Sequence, residues 1–207
     1  MTSRLIILII FASLISACTY GPVQESVRIT NVAARFNTYT AAVAIDYQRF
    51  REPTGLSKFP DGCSPRILER ATLVYFCDIQ NASTKLLAKI EMPSDIQYGF
   101  QPWIIGWAEG NVYVRLNGYP GTDLRDYQQG PKSHIFQVAL NGKYQKVEQS
   151  PSVLEQKPNN GIPVEGETRF MRISHDAFDI KIRTEEGGTF RKKFQIDQTK
   201  CTLEPTL

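Results

Sequence analysis

Residues 135–147 of the chain read IFQVALNGKYQKV. In this stretch two segments rich in β-forming residues flank Asn141 and Gly142, and an Asn-Gly pair in that position is the strongest short-range signal for a β-hairpin. The glycine supplies the positive φ that a tight hairpin turn requires. The stretch therefore predicts two antiparallel strands joined by a turn at Asn141 and Gly142.

Segments of the same kind lie on both sides of this hairpin and are separated by turn residues. They cover residues 70–79, 85–92, 103–107, 112–116, 170–173, 178–182 and 190–196. Consecutive strands without helices between them pair in the antiparallel direction. We therefore expect a mainly β protein, built as a single antiparallel β-sandwich or open barrel of about nine or ten short strands. A small propeller is the alternative, although the chain shows no repeat of fixed period.

The segment before these strands has a different pattern and predicts one N-terminal helix over residues 31–50. Its large apolar residues recur every three or four positions, at Val32, Phe36, Tyr39, Val43, Tyr47 and Phe50. Several alanines, the residues with the highest helix propensity, lie between them. Pro53 would end the helix. Residues 39–47 also alternate as a strand would, so a strand is the alternative for this segment.

The first eighteen residues combine an export signal with a cysteine. Arg4 provides a positive charge, and residues 5–16 (LIILIIFASLIS) form an apolar run. This run is too short to span a bilayer but has the length of a secretory signal core. It leads into the sequence ISAC at residues 15–18. That sequence resembles the lipobox of bacterial lipoproteins.

The resemblance implies that residues 1–17 are a signal peptide and that Cys18 carries a lipid anchor. Residues 18–25 would then form a tether, and residues 26–207 a single β-rich domain. Thr19 occupies the position where Asp commonly marks inner-membrane retention in the Gram-negative family. The resemblance therefore implies an outer-membrane lipoprotein that faces the periplasm.

The charge of the chain does not indicate a nucleic-acid partner. Lys and Arg number 24 and Asp and Glu number 21, which gives a formal net charge of +3. Nucleic-acid binding requires a basic patch or stripe, which so small an excess does not indicate. At 207 residues the chain is long enough for one domain with an ordinary hydrophobic core.

Three cysteines remain if Cys18 carries the lipid, namely Cys63, Cys77 and Cys201. An oxidising periplasm favours one disulfide and one leftover thiol. Cys77 lies in an apolar run that is typical of a buried strand, whereas Cys63 and Cys201 lie in irregular segments. We therefore predict a disulfide between Cys63 and Cys201, with Cys63–Cys77 as the alternative. Because the spacings contain no C-x-x-C pair and neither histidine lies close to a cysteine, we predict no metal site. The chain also lacks a Gly-rich phosphate loop, and we predict no cofactor.

A long connection at residues 117–133 is the predicted partner-binding element. Loops of more than about 12–15 residues in a compact domain are usually functional or disordered. This loop contains Tyr and Arg, which are enriched at binding hot spots, and two aspartates that could initiate turns or hold a cation. The candidate residues are Tyr119, Asp123, Arg125, Asp126 and Tyr127. Residues 149–167 are typical of a plain flexible connection.

The two histidines, His134 and His175, do not form a recognisable catalytic motif. Ser174, His175 and Asp176 are consecutive, and adjacent residues of a strand point to opposite faces, so these three cannot form a triad by themselves. Turn formation explains the segment better. A small envelope hydrolase that uses either histidine is the alternative from the enzyme class.

Two further groups have structural interpretations. Arg191, Lys192 and Lys193 are typical of a solvated edge strand, on which lysine blocks unwanted pairing, and contact with anionic lipid headgroups is the alternative. Trp103 and Trp107 are expected on one face of a strand and in the core. An exposed aromatic platform is the alternative for the tryptophans.

These features predict a lipoprotein that binds another envelope or secreted protein and is not an enzyme. A lipid anchor, a rigid β-scaffold and a loop rich in Tyr and Arg together indicate this class. An immunity lipoprotein and an accessory subunit of an envelope assembly are two versions of it. A small envelope hydrolase and a lipid- or glycan-binding β-sandwich are the alternatives.

Overall fold

The computed structural model of the protein describes residues 18–35, 39–55, 63–121, 124–152, 154, 168–183 and 189–206. The predicted signal peptide and most of the 149–167 segment lie outside these ranges. The described chain is mainly β, with twelve strands and one short helix. Over the same ranges, no helix is both long and apolar enough to cross a membrane.

The strands form three four-stranded sheets, and each sheet consists of strands that are consecutive in the chain. The first sheet contains β1 Tyr20–Ala34, β2 Thr40–Pro53, β3 Arg66–Asp78 and β4 Ser83–Glu91. The second contains β5 Tyr98–Ala108, β6 Asn111–Tyr119, β7 Lys132–Ala139 and β8 Tyr144–Val147, with the helix α1 Leu124–Gln128 between β6 and β7. The third contains β9 Thr168–Ile173, β10 Ala177–Arg183, β11 Thr189–Asp197 and β12 Thr202–Thr206.

Antiparallel pairing of neighbouring strands confirms the predicted mainly β, sandwich-type fold. The hairpin predicted around Asn141 and Gly142 is β7–β8, and Gly142 has a φ of 91°. The described strands number twelve, more than the nine or ten expected. The difference arises because β1, β2 and β12 had no counterpart in the prediction.

The chain divides into two compact units. One comprises residues up to Glu25 together with Arg49–Glu69, and the other comprises Ser26–Gln48 together with Arg70–Leu207. The division crosses β1, β2 and β3, so each of these strands contributes residues to both units. Both hydrophobic cores of the protein belong to the larger unit.

Covalent and hydrogen bonds join the two chain segments of the smaller unit. A disulfide connects Cys18 to Cys63. The backbone N–H of Thr54 donates to the carbonyl oxygen of Thr19 at 2.9 Å, and the hydroxyl of Thr19 donates to the carbonyl oxygen of Thr54 at 3.1 Å. These bonds hold the residues before β1 against those that follow β2.

In the larger unit the inner strands β2 and β3 of the first sheet are buried on both faces, whereas β4 keeps exposed residues. Along β2 the alternate residues Ala41, Val43 and Ile45 belong to one core, and Ala42 and Ala44 belong to the other. The first core extends to the third sheet through Phe178, Ile180, Phe194, Ile196 and Leu203. The second core extends to the second sheet through Phe100, Ile104, Trp107, Val112, Val114, Leu116 and Val138.

The prediction of a helix over residues 31–50 is wrong, because β1 ends at Ala34 and β2 spans Thr40–Pro53. A strand that is buried on both faces carries apolar residues at consecutive positions, so it lacks the simple alternation that marks a half-buried strand. The run from Ala41 to Ile45 is such a stretch. Burial on both faces overrides the helix propensity of its alanines.

One carboxylate, that of Asp46, lies on the doubly buried strand β2. The side chain of Asp46 on β2 is only 2% exposed. Arg70 on β3 donates to both of its oxygens, from Nε at 3.2 Å and from Nη2 at 2.9 Å, and Arg28 on β1 donates at 3.3 Å. Arg70 also donates to the carbonyl oxygen of Phe100 on β5 at 3.3 Å. One charge network therefore joins three strands of the first sheet to the second sheet.

We expect the substitution Arg70→Met to lower the free energy of unfolding by about 3 kcal/mol, because removal of one partner leaves a buried charge without its main compensation. Urea denaturation followed by circular dichroism measures the change. Arg49→Met is the matched control, since Arg49 pairs with Glu69 at 3.7 Å and is 46% exposed. The control should change the free energy by less than about 1 kcal/mol. Equal effects of the two substitutions would show that the Asp46 network stabilises the fold no more than the exposed Arg49–Glu69 pair does.

Candidate functional site

The second sheet packs one face on the core and presents the other face outward. Along β6, Leu116 and Gly118 are buried, whereas Arg115 is exposed and Asn117 and Tyr119 are half-buried. Successive side chains of a strand point to opposite faces. Arg115, Asn117 and Tyr119 therefore share the outer face of the sheet.

The neighbouring strand β5 places three more side chains on this outer face. Tyr98 pairs with Tyr119, Gln101 with Asn117, and Trp103 with Arg115. Tyr98 is 49% exposed and Trp103 is 54% exposed, so both aromatic rings are open to solvent. The six residues form three cross-strand rows of aromatic, amide and guanidinium groups. We call these six residues, together with Tyr127 described below, the aromatic face.

The expectation that Trp103 and Trp107 share one face of a strand is wrong. The register of β5 against β6 shifts between Ile104 and Gly106, which marks a β-bulge. A bulge inserts one extra residue and so reverses the alternation beyond it. Trp107 is consequently fully buried, and its indole N–H donates to the carbonyl oxygen of Ala33 at 3.1 Å. Trp103 stays on the outer face of the sheet, which agrees with the alternative of an exposed aromatic platform.

The helix α1 adds Tyr127 to the outer face. Its ring centroid lies 4.8 Å from that of Tyr119 and 6.1 Å from that of Tyr98. Removal from water, followed by the neighbouring phenol of Tyr98, raises the pKa of Tyr127 above its ordinary value. The phenol therefore stays neutral near pH 7 and can donate a hydrogen bond. The three tyrosines form one cluster, in which Tyr127 is 40% exposed.

The structure brings together only part of the predicted partner-binding loop. Tyr119 lies at the end of β6, and Tyr127 packs against it from α1. Arg125 is exposed on the same helix, which also contains Asp126, and Asp123 lies outside the described residues. The expected long loop is shorter than predicted, because β6 continues to Tyr119, β7 begins at Lys132 and α1 lies between them.

Sequence reasoning missed Tyr98, Trp103 and Arg115 as members of the site. The alternation along β6 could have placed Arg115 and Tyr119 on one face, since they lie four residues apart in a regular strand. The position of Trp103 depends on the bulge beside Gly106. A glycine inside a strand is itself a signal for a bulge, and the prediction did not use it. Tyr98 lies beyond a second register shift, between Tyr98 and Gln101.

Each histidine lies in a separate local environment. Nε2 of His134 lies 2.8 Å and 2.9 Å from the two carboxylate oxygens of Asp95. His175 lies in the bend between β9 and β10, where the Ser174 hydroxyl bonds to the backbone of Ala177. The bend agrees with the turn predicted for this segment. Among the described residues, no group of three or more His, Cys, Asp or Glu side chains is placed to hold a metal ion.

The pairing of the cysteines differs from the prediction. Cys63 is bonded to Cys18, and neither Cys201 nor Cys77 forms a disulfide. The prediction reserved Cys18 for the lipid, so it considered only the other three cysteines as partners of one another. Cys77 is buried in the first core, as expected of a strand residue, and burial raises the pKa of its thiol well above the ordinary value.

The basic run Arg191–Lys193 does not lie on an edge strand. The order of the third sheet is β12-β11-β10-β9, so β11 has a neighbour on each side. Its lysines therefore cannot serve to protect an open edge.

Comparisons with protein-family models, with curated proteins and with solved structures find no match for this chain. Among the described residues, the aromatic face has the most side chains typical of binding: two solvent-exposed rings, a tyrosine cluster and the exposed Arg115. Such a surface can bind a partner through ring contact, hydrogen bonds and charge.

We expect Gly118→Ala to disturb the aromatic face from the core side of the second sheet. A Cβ atom at position 118 would overlap the side chain of Ile96 and lie 2.9 Å from the carbonyl oxygen of Tyr98, which is backbone and cannot rotate away. Overpacking of this kind costs about 1–3 kcal/mol. Urea denaturation should show that loss, while Asn117→Ala on the outer face should change stability by no more than about 0.5 kcal/mol. An alanine at 118 without effect would mean that β5 can move away from β6 at this point.

Proposed function

We propose that the protein is a lipid-anchored outer-membrane lipoprotein, facing the periplasm, whose folded part binds another protein and catalyses no reaction. The observation that carries the binding proposal is the aromatic face of the second sheet. The lipobox-like residues 15–18 support the anchor. An immunity lipoprotein and an accessory subunit of an envelope assembly would both use such a surface.

The composition of the aromatic face favours a protein as the partner. Tyr, Trp and Arg are the residues most enriched at the energetic centres of protein interfaces. Trp103 exposes 54% of its surface and Tyr98 exposes 49%, although each ring could bury a large apolar area in a complex. Gln101 and Asn117 lie in the row between them and can bond to a partner's backbone.

The charge beside the rings indicates what the partner's surface carries. Arg115 lies opposite Trp103 in the β5–β6 register and is exposed. Carboxylates at the rim of the partner's binding surface would complement this guanidinium group and would accelerate association. We therefore expect a protein partner with an acidic rim.

The proposed anchor and the observed disulfide use the same sulfur atom. A thioether at Cys18 would leave its sulfur without a valence for Cys63, so the two bonds exclude each other. We propose that the lipid takes precedence in the cell and that the thiol of Cys63 is then free. The multiple acyl chains of such an anchor contribute about 0.8 kcal/mol per buried CH₂ group and hold the protein firmly on the membrane.

We expect the double substitution of Trp103 and Tyr127 by alanine to remove binding while the protein stays folded. Truncation of a hot-spot residue costs about 2 kcal/mol or more, so the affinity for the partner should fall at least about 30-fold. Tyr144→Ala is the matched control, because Tyr144 on β8 is 45% exposed but lies outside the aromatic face. Proteins captured from cell envelopes with each variant identify candidates, and titration with the purified candidate measures the affinity.

Only a protein that binds the wild type and the control but not the double variant supports the proposal. If every captured protein binds all three chains with the same affinity, the aromatic face is not the binding surface. If the double variant instead loses binding to an envelope polysaccharide, the partner is a glycan and the proposal of a protein partner is wrong.

We expect Cys18→Ala to abolish membrane fractionation without unfolding the protein. Cys18 precedes the first strand, outside both hydrophobic cores. Membrane flotation and mass spectrometry of the N-terminal peptide measure the anchor. In the wild type isolated from cells, an alkylating reagent added under denaturing, non-reducing conditions should modify Cys63. A Cys18–Cys63 disulfide in protein isolated from membranes, or flotation of the alanine variant after a salt wash, would contradict the lipid anchor.

A further inference from the structure

The third sheet carries a cleft of about 680 Å³ on the face turned away from its core. Phe178 on β10 and Phe194 on β11 point into the core, and the intervening residues of both strands line the cleft. The lining includes Asp179, Arg191 and Lys193. A cleft of this size is within the range that accommodates small organic molecules.

An ion pair with the carboxylate of Asp179 holds the guanidinium group of Arg191 in place. Its Nη2 donates to Oδ2 of Asp179 at 2.8 Å. The carboxylate side chain is only 12% exposed, whereas the Arg191 side chain is 62% exposed. A guanidinium group carries five N–H donors, so this one bond fixes its position and leaves donors directed at the cleft.

A second cation lies beside this arginine. Lys193 pairs with Asp179 in the β10–β11 register and with Thr206 in the β11–β12 register. Its side chain is exposed and lines the cleft. Over the described ranges, no acceptor lies within hydrogen-bond distance of its ammonium group. Lys193 is therefore available to an anion in the cleft.

The hydroxyl of Thr206 provides an independent indication of a ligand. Its oxygen is buried, and in the described part of the chain it has no hydrogen-bond partner. Thr206 lines the same cleft as Lys193. Buried polar atoms in folded proteins are almost always bonded. Rotation about the Cα–Cβ bond of Thr206 would turn this hydroxyl into the cleft, where an acceptor on a ligand could bond to it.

We propose that this cleft binds the phosphate group of a small molecule or lipid headgroup. A guanidinium, an ammonium and a hydroxyl are donors that suit the several oxygens of a phosphate. The charged residues that line the cleft are three cations, Arg191, Lys192 and Lys193, and two carboxylates, Asp176 and Asp179. The cations outnumber the carboxylates, and the carboxylate of Asp179 is already paired with Arg191, so the cleft favours an anion over a cation.

Titration and vesicle flotation of the Cys18→Ala chain test the site without interference from the anchor. Isothermal titration uses inorganic phosphate, and flotation uses vesicles of equal parts phosphatidylglycerol and phosphatidylcholine, compared with phosphatidylcholine alone. We expect Lys193→Gln and Thr206→Val each to weaken binding at least tenfold. Lys146→Gln is the matched control, since Lys146 is an exposed lysine on β8.

Each outcome decides the proposal. Binding of inorganic phosphate that depends on Lys193 and Thr206 supports the site and assigns it to soluble phosphates. Binding to the anionic vesicles alone, with the same dependence, supports it and assigns it to a lipid headgroup. Absence of saturable binding to both probes overturns the proposal. An equal loss in the Lys146 variant also overturns it, because the effect then reflects net charge and not the cleft.

Discussion

The carboxylate of Asp46 is the only charged side chain among the buried residues of β2, and the first sheet depends on its neutralisation. A strand covered on both faces, as β2 is from Ala41 to Tyr47, has no exposed face to which a charge could turn. The cost of burial is offset by Arg28 and Arg70, one on each flanking strand. Because a shift of register would separate these partners, the ion pairs favour one alignment of β1, β2 and β3.

The same network reaches the second sheet through Arg70. Its guanidinium group bonds to the backbone of Phe100 and lies 4.9 Å from the centroid of the phenylalanine ring. Phe100 belongs to β5, the strand that also carries Tyr98 and Trp103 outward. The position of the aromatic face therefore rests on a contact made on the opposite side of its sheet. A charge in the interior is thereby linked to the surface that we propose for binding.

How far the sequence predicts this protein depends on how each strand is buried. The strands of the second and third sheets are covered on one face, so most of them alternate and could be recognised, as in the hairpin at Asn141 and Gly142. The strand β2 is covered on both faces, and its alanine-rich run was mistaken for a helix. Part of the aromatic face was predicted, through Tyr119 and Tyr127. Trp103 was assigned to the core, because the prediction continued the alternation through Gly106 and did not use that glycine as a sign of the bulge that separates Trp103 from Trp107.

Each sheet is made of four consecutive strands, and this order has a consequence for the time course of folding. If the chain is exported as proposed, it enters the periplasm N-terminus first, and the first sheet can form before the strands that cover its inner strands have crossed the membrane. Over that interval the apolar residues of β2 and β3 are open to water and to other chains. We expect the emerging chain to need a chaperone during this period, and truncation after β4 to yield an aggregating fragment.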